Sequence, residues 1–537
     1  MSSTDSKRQN EKVRGFPFNL VGIVGAGSMG SMMALGLSET GVDIAIWDIS
    51  PNNVKQALSK KANTESSAEA STRNGEVYGF TEISDFAESL SKEPNKVLIF
   101  SITHGQPADQ VLDQLEKYLK PGDIILDGGN EHYRNTERRQ RALFQRGVSW
   151  IGMGVSGGYQ SARKGPSLSP GGDQKAIDKV LPLLKQFAAK AETLGHVGGA
   201  PCIEYIGPHG SGHFVKMLHN GIENGMLSSL CEAWGMMKSG LDMTYEDIGN
   251  ALDQWDRKGE LRSNFLLQIG SEICHRKKTL DGDGHGEGKG REGYVLDDVL
   301  DKVVQDDDNS EGTGFWSVME AAARHVAAPT IAAGQFFRVA SGNRAERLEV
   351  AKPLQTPTPS KANSDIIQNR DDCVEDIRRA VYASFLCAFC QGLEIISRAS
   401  HDEGWDVSLS TCIRIWRGGC IIQSNHIADI LEADLGATDE KAVMNVKLLK
   451  QVSAALRDNY GPLKRTVARA TEWNAHIPSL SASLEYIKYC GGTSLPTRFM
   501  EAQMDFFGAH AFDRPGVKDE DPGKPSKGAC HYEWRPA

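Results

Sequence analysis

A chain of 537 residues is long enough for two or more domains with substantial cores. Its formal net charge of −10 argues against general nucleic-acid binding, which needs a basic field, yet leaves room for an anionic ligand in a locally basic pocket. Ten cysteines, mostly inside apolar stretches such as 381–390, suit reduced, buried thiols in a cytosolic protein.

Residues 1–17 mix Ser, Lys, Arg, Glu and Asn with no apolar core of signal-peptide length and read as a disordered leader. No later run reads as long enough to span a bilayer, so no membrane partner is expected. Over 18–206, apolar strand-like runs at 20–24, 44–47, 97–102 and 124–126 alternate with helical patterns at 29–39, 108–118 and 135–145. That alternation predicts an α/β domain of Rossmann type, a doubly wound and mainly parallel sheet.

Gly25-Ala26-Gly27-Ser28-Met29-Gly30 follows the first strand and opens the first helix. Glycines there allow a tight turn and close approach to a pyrophosphate, which the helix N-terminal amides then face. Asp48 stands about twenty residues further on, where a carboxylate bonds a ribose 2′-hydroxyl and repels a 2′-phosphate. Ile49, Ser50, Pro51 and Asn52 follow, with no arginine, so the expected cofactor is NAD rather than NADP.

From 207 to 492 long helical patterns dominate. Lys216, His219, Asn220 and Glu223 sit at offsets of 3, 4 and 7, which places them on one helical stripe. A solvated amphipathic face has the same pattern; a base, an acid and two hydrogen-bonding groups on one surface also suit proton transfer. An internal echo appears as well. Trp255 is followed by Ser263 and Asn264, and 161 residues later Trp416 is followed at the same intervals by Ser424 and Asn425, which hints at a duplicated helical unit. Between the two lies the glycine-rich run 281–293. Asp281, Asp283, Gly286 and Glu292 mimic a calcium loop, but His285 and Gly288 break its pattern, so it reads as a flexible insertion with no metal. Cys387 and Cys390 form a C-x-x-C inside a helical stretch, a setting for packing rather than redox or metal chemistry. Beyond Asp513 the Pro-, Gly- and Lys-rich tail reads as an extended arm rather than a folded unit.

Five ordered segments carry a family likeness: Asp127-Gly-Gly-Asn-Glu-His-Tyr-Arg, Gly154-Val-Ser-Gly-Gly, Gly212-His-Phe-Val-Lys-Met-Leu-His-Asn-Gly-Ile-Glu, Trp416-Arg-Gly-Gly-Cys-Ile-Ile and Phe507-Gly-Ala-His510. With the glycine turn, they make the chain resemble the 6-phosphogluconate dehydrogenase family from about residue 19 to 510. The resemblance implies a Rossmann domain, a large all-helical domain with an internal duplication, and a C-terminal arm, 493–537, that inserts into the partner subunit of a homodimer. It implies oxidation of the 3-hydroxyl of a sugar acid, with hydride passed to the nicotinamide and C1 lost as carbon dioxide. By the same match Lys216 is the base and Glu223 the acid that protonates C1 of the enediol. Asn130, Ser156, Gly157, Gly158, His219, Asn220, Thr313, Arg338 and His510 match substrate-binding positions. Ser101, Ile102, Thr103 and Asn130 match positions beside the cofactor.

Three positions depart from the family pattern. Asn224 stands where a tyrosine touches phosphate, Glu311 where a lysine binds it, and Met504 where the partner's arginine is expected. Charge-assisted hydrogen bonds contribute about 1.5–3 kcal/mol each, so their loss predicts a much weaker grip on a phosphate ester unless residues such as Arg498 compensate. The expected substrate is therefore a 3-hydroxy sugar acid without a terminal phosphate. The alternatives are 6-phosphogluconate itself, giving ribulose 5-phosphate; a catalytically inactive dimeric pseudoenzyme; and reversible oxidation without decarboxylation.

Overall fold

The structure is a computed structural model that describes residues 17–65, 74–193, 196–278, 293–303, 312–438 and 443–535. The expected leader (Pro17 apart), Glu311 and the calcium-loop look-alike lie outside the described residues. The chain forms two compact units, Met1–Leu484 and Glu485–Ala537.

The first unit begins with seven strands: β1 Leu20–Val24, β2 Asp43–Trp47, β3 Val77–Phe80, β4 Val97–Phe100, β5 Ile124–Asp127, β6 Ser149–Ser156 and β7 Ser167–Gly171. They lie in the order β3-β2-β1-β4-β5-β6-β7; all pairs are parallel except β6–β7. Apolar runs such as Leu-Val-Gly-Ile-Val in β1 suit a parallel sheet covered on both faces. One face packs Val21, Ile23, Leu37, Val180 and Phe187, the other Phe86, Leu98, Phe100, Leu112 and Trp150.

The covering helices are α1 Ser28–Ser38, α2 Pro51–Glu65, α3 Ile83–Ser89, α4 Gln106–Leu115, α5 Tyr133–Phe144, α6 Ser161–Lys164 and α7 Gln174–Phe187. A small antiparallel pair, β8 Lys190–Thr193 and β9 His196–Pro201, ends the sheet region. The strand expected at 97–102 stops at Phe100 because the chain then turns over the glycine loop, where Ser101 and Ile102 crowd Gly25.

Helices dominate the remaining described residues of this unit. α8 Ser211–Gly235 is followed by α9 Tyr245–Arg257, α10 Phe265–His275, α11 Thr313–Ala323, α12 Pro329–Gly342, α13 Arg344–Leu354 and α14 Ser364–Gln368. Then come α15 Arg370–Glu403, α16 Leu409–Ile415, α17 Asn425–Gly436, α18 Lys450–Glu472 and α19 Pro478–Cys490, the last residues of which, 485–490, belong to the second unit. α15 corrects one expectation. By length and composition it is apolar enough to cross a membrane, but 89% of its most apolar window is buried inside the protein, where it packs on α8 and α18. Its middle stretch, 380–393, is buried on every side and apolar because neighbours surround it, whereas the first turns carry exposed charges such as Asp371 and Asp372. Cys387 and Cys390 are both buried within it.

The two echoed segments meet. Asn264 Nδ2 donates to Ser424 Oγ at 2.5 Å, the two residues form an antiparallel bridge, and a 161-residue shift carries α10 onto 426–436 inside α17.

The second unit holds α20 Thr497–Gly508 and corrects the reading of the tail as merely extended. Asp505, fully buried, accepts from Ala511 N, His531 Nδ1, Tyr532 N and Trp534 Nε1, and Phe512 bridges Cys530. Those bonds hold its carboxyl well below the ordinary range even though burial opposes the charge. One carboxylate thus folds the tail back on the end of α20.

Candidate active site

The strand order reverses at β1, and a cavity of about 1010 Å³ opens across the carboxyl ends of the strands there. Gly25, at φ +103°, forms its floor; a side chain there would strike the Ser101 carbonyl and Ile102. Gly27, the N-cap of α1, faces open space and carries no side-chain cap, so the first amides of the helix are left for an anion. This is a cradle that fits a dinucleotide pyrophosphate.

Gly25, Gly27, Ser28, Met29, Asp48, Ser101, Ile102, Thr103 and Asn130 all line the cavity. Ala26 and Gly30 lie behind its wall. Ala26 N donates to Asp48 Oδ2 at 2.7 Å, and a methyl at Gly30 would collide with the Gly25 carbonyl. Asp48 Oδ1 takes Ser50 N at 2.8 Å and Asn53 Nδ2 at 3.2 Å, so the carboxylate fastens the glycine turn to the end of β2. Glu82, after β3, lines the same side of the cavity. Sequence reasoning missed Glu82 and also His104, after β4. Their signal was position alone, just past strand ends, and β3 itself is too short and too exposed to read.

Lys216 lines the other side of the cavity with Asn130, Gly157 and Gly158. The helix that carries it is stitched to the sheet. His213 Nδ1 meets Thr136 Oγ1 at 2.6 Å and its Nε2 meets the Asp127 carbonyl at 2.9 Å. Gly154 on β6 lets the Lys216 stem lie flat, since a Cβ there would overlap Lys216 Cβ. Ser156, buried, ends β6 opposite Ser167, and Gly157 backs onto the Gly419 carbonyl, joining two of the glycine-bearing motifs.

Lys216 Nζ donates to Asn220 Oδ1 at 2.8 Å, His219 Nδ1 reaches the same oxygen at 3.0 Å, and Asn220 Nδ2 donates to Thr313 Oγ1 at 2.9 Å. The expected stripe is therefore a connected polar network rather than a solvated face. His219 is fully buried, and burial first, then the neighbouring Lys216 cation, hold its imidazole well below the ordinary range against the Asn220 bond. A neutral ring that donates through Nδ1 leaves Nε2 as an acceptor, and that atom is buried with no hydrogen-bond partner among the described residues. Glu223 Oε2 lies 3.8 Å from His219 Nδ1, beyond hydrogen-bond reach, and a neutral imidazole makes no ion pair with it. Glu223 keeps 24% side-chain exposure.

Asn224 is buried and donates to Gln335 Oε1 at 2.9 Å; Arg338, half-buried, follows one turn later on α12. His510 and Met504 belong to the second unit.

Comparison with known proteins agrees with this layout. The profile described as the NAD binding domain of 6-phosphogluconate dehydrogenase matches residues 20–207, and that of the 6-phosphogluconate dehydrogenase C-terminal domain matches 212–534. The chain is 56% identical over 510 residues to the decarboxylating 6-phosphogluconate dehydrogenase of Emericella nidulans, covering 95% of this chain and 100% of the relative. It is 36% identical over 514 residues to decarboxylating 6-phosphogluconate dehydrogenase 1 of Oryza sativa, covering 96% and 97%. The solved Plasmodium falciparum 6-phosphogluconate dehydrogenase, described with its cofactor NADP+ and its substrate 6-phosphogluconate, superposes with a TM-score of 0.80 at 29% identity, covering 96% and 100%. A Rossmann cradle, a helical domain and the likeness along nearly the whole length lead to one conclusion: this chain belongs to the 6-phosphogluconate dehydrogenase family of decarboxylating, NAD(P)-binding oxidoreductases.

Proposed function

We propose that the protein oxidises 6-phosphogluconate at C3 and decarboxylates it to ribulose 5-phosphate, with NAD as the preferred acceptor. The observation that carries this reading is the Lys216–Asn220–Thr313 network, which sets an amine against the dinucleotide cavity. Lys216 acts as the base in its neutral amine form and takes the proton of the C3 hydroxyl, and His219 Nε2 accepts from a neighbouring substrate hydroxyl. A bound nicotinamide supplies the hydride acceptor. With C3 a ketone, the substrate is a β-keto acid. Its C1–C2 bond breaks with loss of carbon dioxide, the electron pair enters the C2–C3 enediol, and Lys216 returns its proton to the C3 oxygen. Glu223 then protonates the carbon that lost the carboxylate while Lys216, now neutral, takes the enediol O–H proton back and the carbonyl re-forms.

Support for the phosphorylated substrate comes from the relatives' names, which point away from the phosphate-free acid that the three departures suggested. One observation still favours that second reading: the Asn224 amide is spent on Gln335 rather than left facing a ligand. Initial rates of NADH formation with 6-phosphogluconate, gluconate and an aldarate decide between them. A kcat/KM for gluconate at or above that for 6-phosphogluconate would overturn the phosphorylated assignment.

NAD preference rests on charge. Asp48 and Glu82 line the side of the cavity nearest β2 and β3, Ile49 there is 85% exposed, and Lys216 is the one cation among the described lining residues. A 2′-phosphate would meet carboxylates rather than a guanidinium. The proposal includes a cytosolic homodimer in which residues 493–537 reach the partner's substrate pocket and present His510. The exposure of Phe499, Met500 and Phe507 in that segment supports a covering partner.

A further inference from the structure

Offsets of 3, 4 and 7 put Thr313, Trp316, Ser317 and Glu320 on one stripe of α11. Along one edge of it, Thr313 holds Asn220 and Ser317 Oγ donates to the Met217 carbonyl at 2.8 Å, fixing the helix to α8. Along the adjoining edge, Trp316 meets two imidazoles edge to face: His104 at 5.0 Å between centroids and 73°, His132 at 4.9 Å and 88°. One turn later Tyr133 Oη donates to Glu320 Oε1 at 3.0 Å. The two histidines come from successive loops at the carboxyl ends of β4 and β5, and His104 lines the dinucleotide cavity. Those loops are tied together. Gly105 N donates to Glu131 Oε2 at 2.8 Å, and Arg139 bonds both Glu131, at 2.6 Å, and the Gly105 carbonyl, at 2.9 Å. Glu131 is held down to about 2 by Arg139 and these bonds although burial opposes it, so the tie stays charged over the working pH range.

We propose that Trp316 is a positioning residue that transmits occupancy of the dinucleotide cavity, sensed at His104, to the substrate network at Thr313, Asn220 and Lys216. The proposal rests on the reading that the cavity takes the dinucleotide and the Lys216 pocket the sugar acid. A dinucleotide seated against Ser101–His104 restricts that loop. The loop fixes the indole edge, and the indole fixes the rotation of α11, one turn from Thr313. Linkage then requires equal help in both directions, typically about 5-fold to 150-fold.

The test uses NADH and 6-phosphogluconate, a pair that does not react, with the full-length protein in isothermal titration calorimetry. Wild type is expected to bind 6-phosphogluconate about tenfold more tightly when saturated with NADH, and NADH to gain by the same factor from 6-phosphogluconate. Trp316→Leu is expected to bring that ratio near one while the affinity for each ligand alone moves less than about threefold. Trp316→Phe, which keeps an aromatic edge, is expected to retain most of the ratio. His104→Ala lines the cavity and so shifts the affinity for NADH itself, but it is also expected to bring the ratio near one, and it stands in if Trp316→Leu fails to fold. An undiminished ratio in Trp316→Leu or His104→Ala would overturn the coupling, as would a wild-type ratio of one. Wild type that bound neither ligand would instead sink the assignment of the two pockets, and the coupling with it.

Discussion

Lys216 and Asn220 face each other across one turn of α8, with Nζ and Oδ1 2.8 Å apart, and Thr313 holds the far end of the Asn220 amide. A hydroxyl can serve either end of an amide, whereas Lys216 Nζ and His219 Nδ1 both direct N–H groups at Asn220, so Oδ1 faces them and Nδ2 is left to donate to Thr313 on α11. Thr313→Val removes the acceptor and strands the amide. Leaving this half-buried donor unpaired costs up to about 1–3 kcal/mol, so kcat/KM should fall by roughly 5-fold and at most about 150-fold, with little change in melting temperature. Steady-state kinetics beside calorimetric melting check this; unchanged kinetics would detach Thr313 from the network.

Lys216→Met keeps the stem on Gly154 and deletes the proposed base. A general base contributes about 10²–10⁴-fold, so kcat should drop by that factor while NADH still binds. Stopped-flow absorbance gives the rate, and a loss below tenfold would assign the base elsewhere.

Glu223→Gln should leave oxidation and carbon dioxide release stoichiometric with each other but slow the turnover by about 10²–10⁴-fold. In deuterated solvent, wild type should place deuterium on one face of the carbon that lost the carboxylate, and the variant on both. Proton NMR of the product distinguishes these patterns.

Removing carboxylates from the β2–β3 side of the cavity should relax the cofactor preference. The Asp48→Asn, Glu82→Ser double variant is expected to raise kcat/KM for NADP relative to NAD at least about tenfold, equivalent to about 1.4 kcal/mol. Wild type that already favours NADP would refute the preference itself.

Glu232 makes stability depend on pH. It is buried on α8, and burial pushes its carboxyl up to about 7, although Ser228, Leu480 N and Ser479 N bond it and pull the other way. Its folded-state value exceeds that of the unfolded chain. Between the two the folded form holds a proton that the unfolded form lacks, so this group's contribution falls as pH rises from about 4.5 to about 7. The loss is on the order of 3 kcal/mol. Calorimetric melting of Glu232→Gln at pH 5 and 7.5 should show a smaller drop than wild type; a parallel shift would exclude the linkage.

Much of the cofactor site was legible because its signals are local. A strand, a glycine turn and a helix N-terminus follow one another within 11 residues, 20–30, and Asp48 lies at the end of the next strand. The α8 stripe was legible for the same reason, since helical spacing alone puts Lys216, Asn220 and Glu223 on one face. The echo at Asn264 and Ser424 was visible as a repeat, though not as a contact.

Contacts between distant segments belong to the tertiary structure alone. Thr313 meets Asn220 across 93 residues, and Trp316 meets loops on β4 and β5 roughly 200 residues earlier, pairings that periodicity cannot encode. Only packing showed that the apolar α15 is a core helix and that Asp505 folds the tail. The sequence carries the periodicities that decide which face of each element is apolar or reactive. Which faces meet depends on how all the elements bury their surface together, and that is a property of the whole fold.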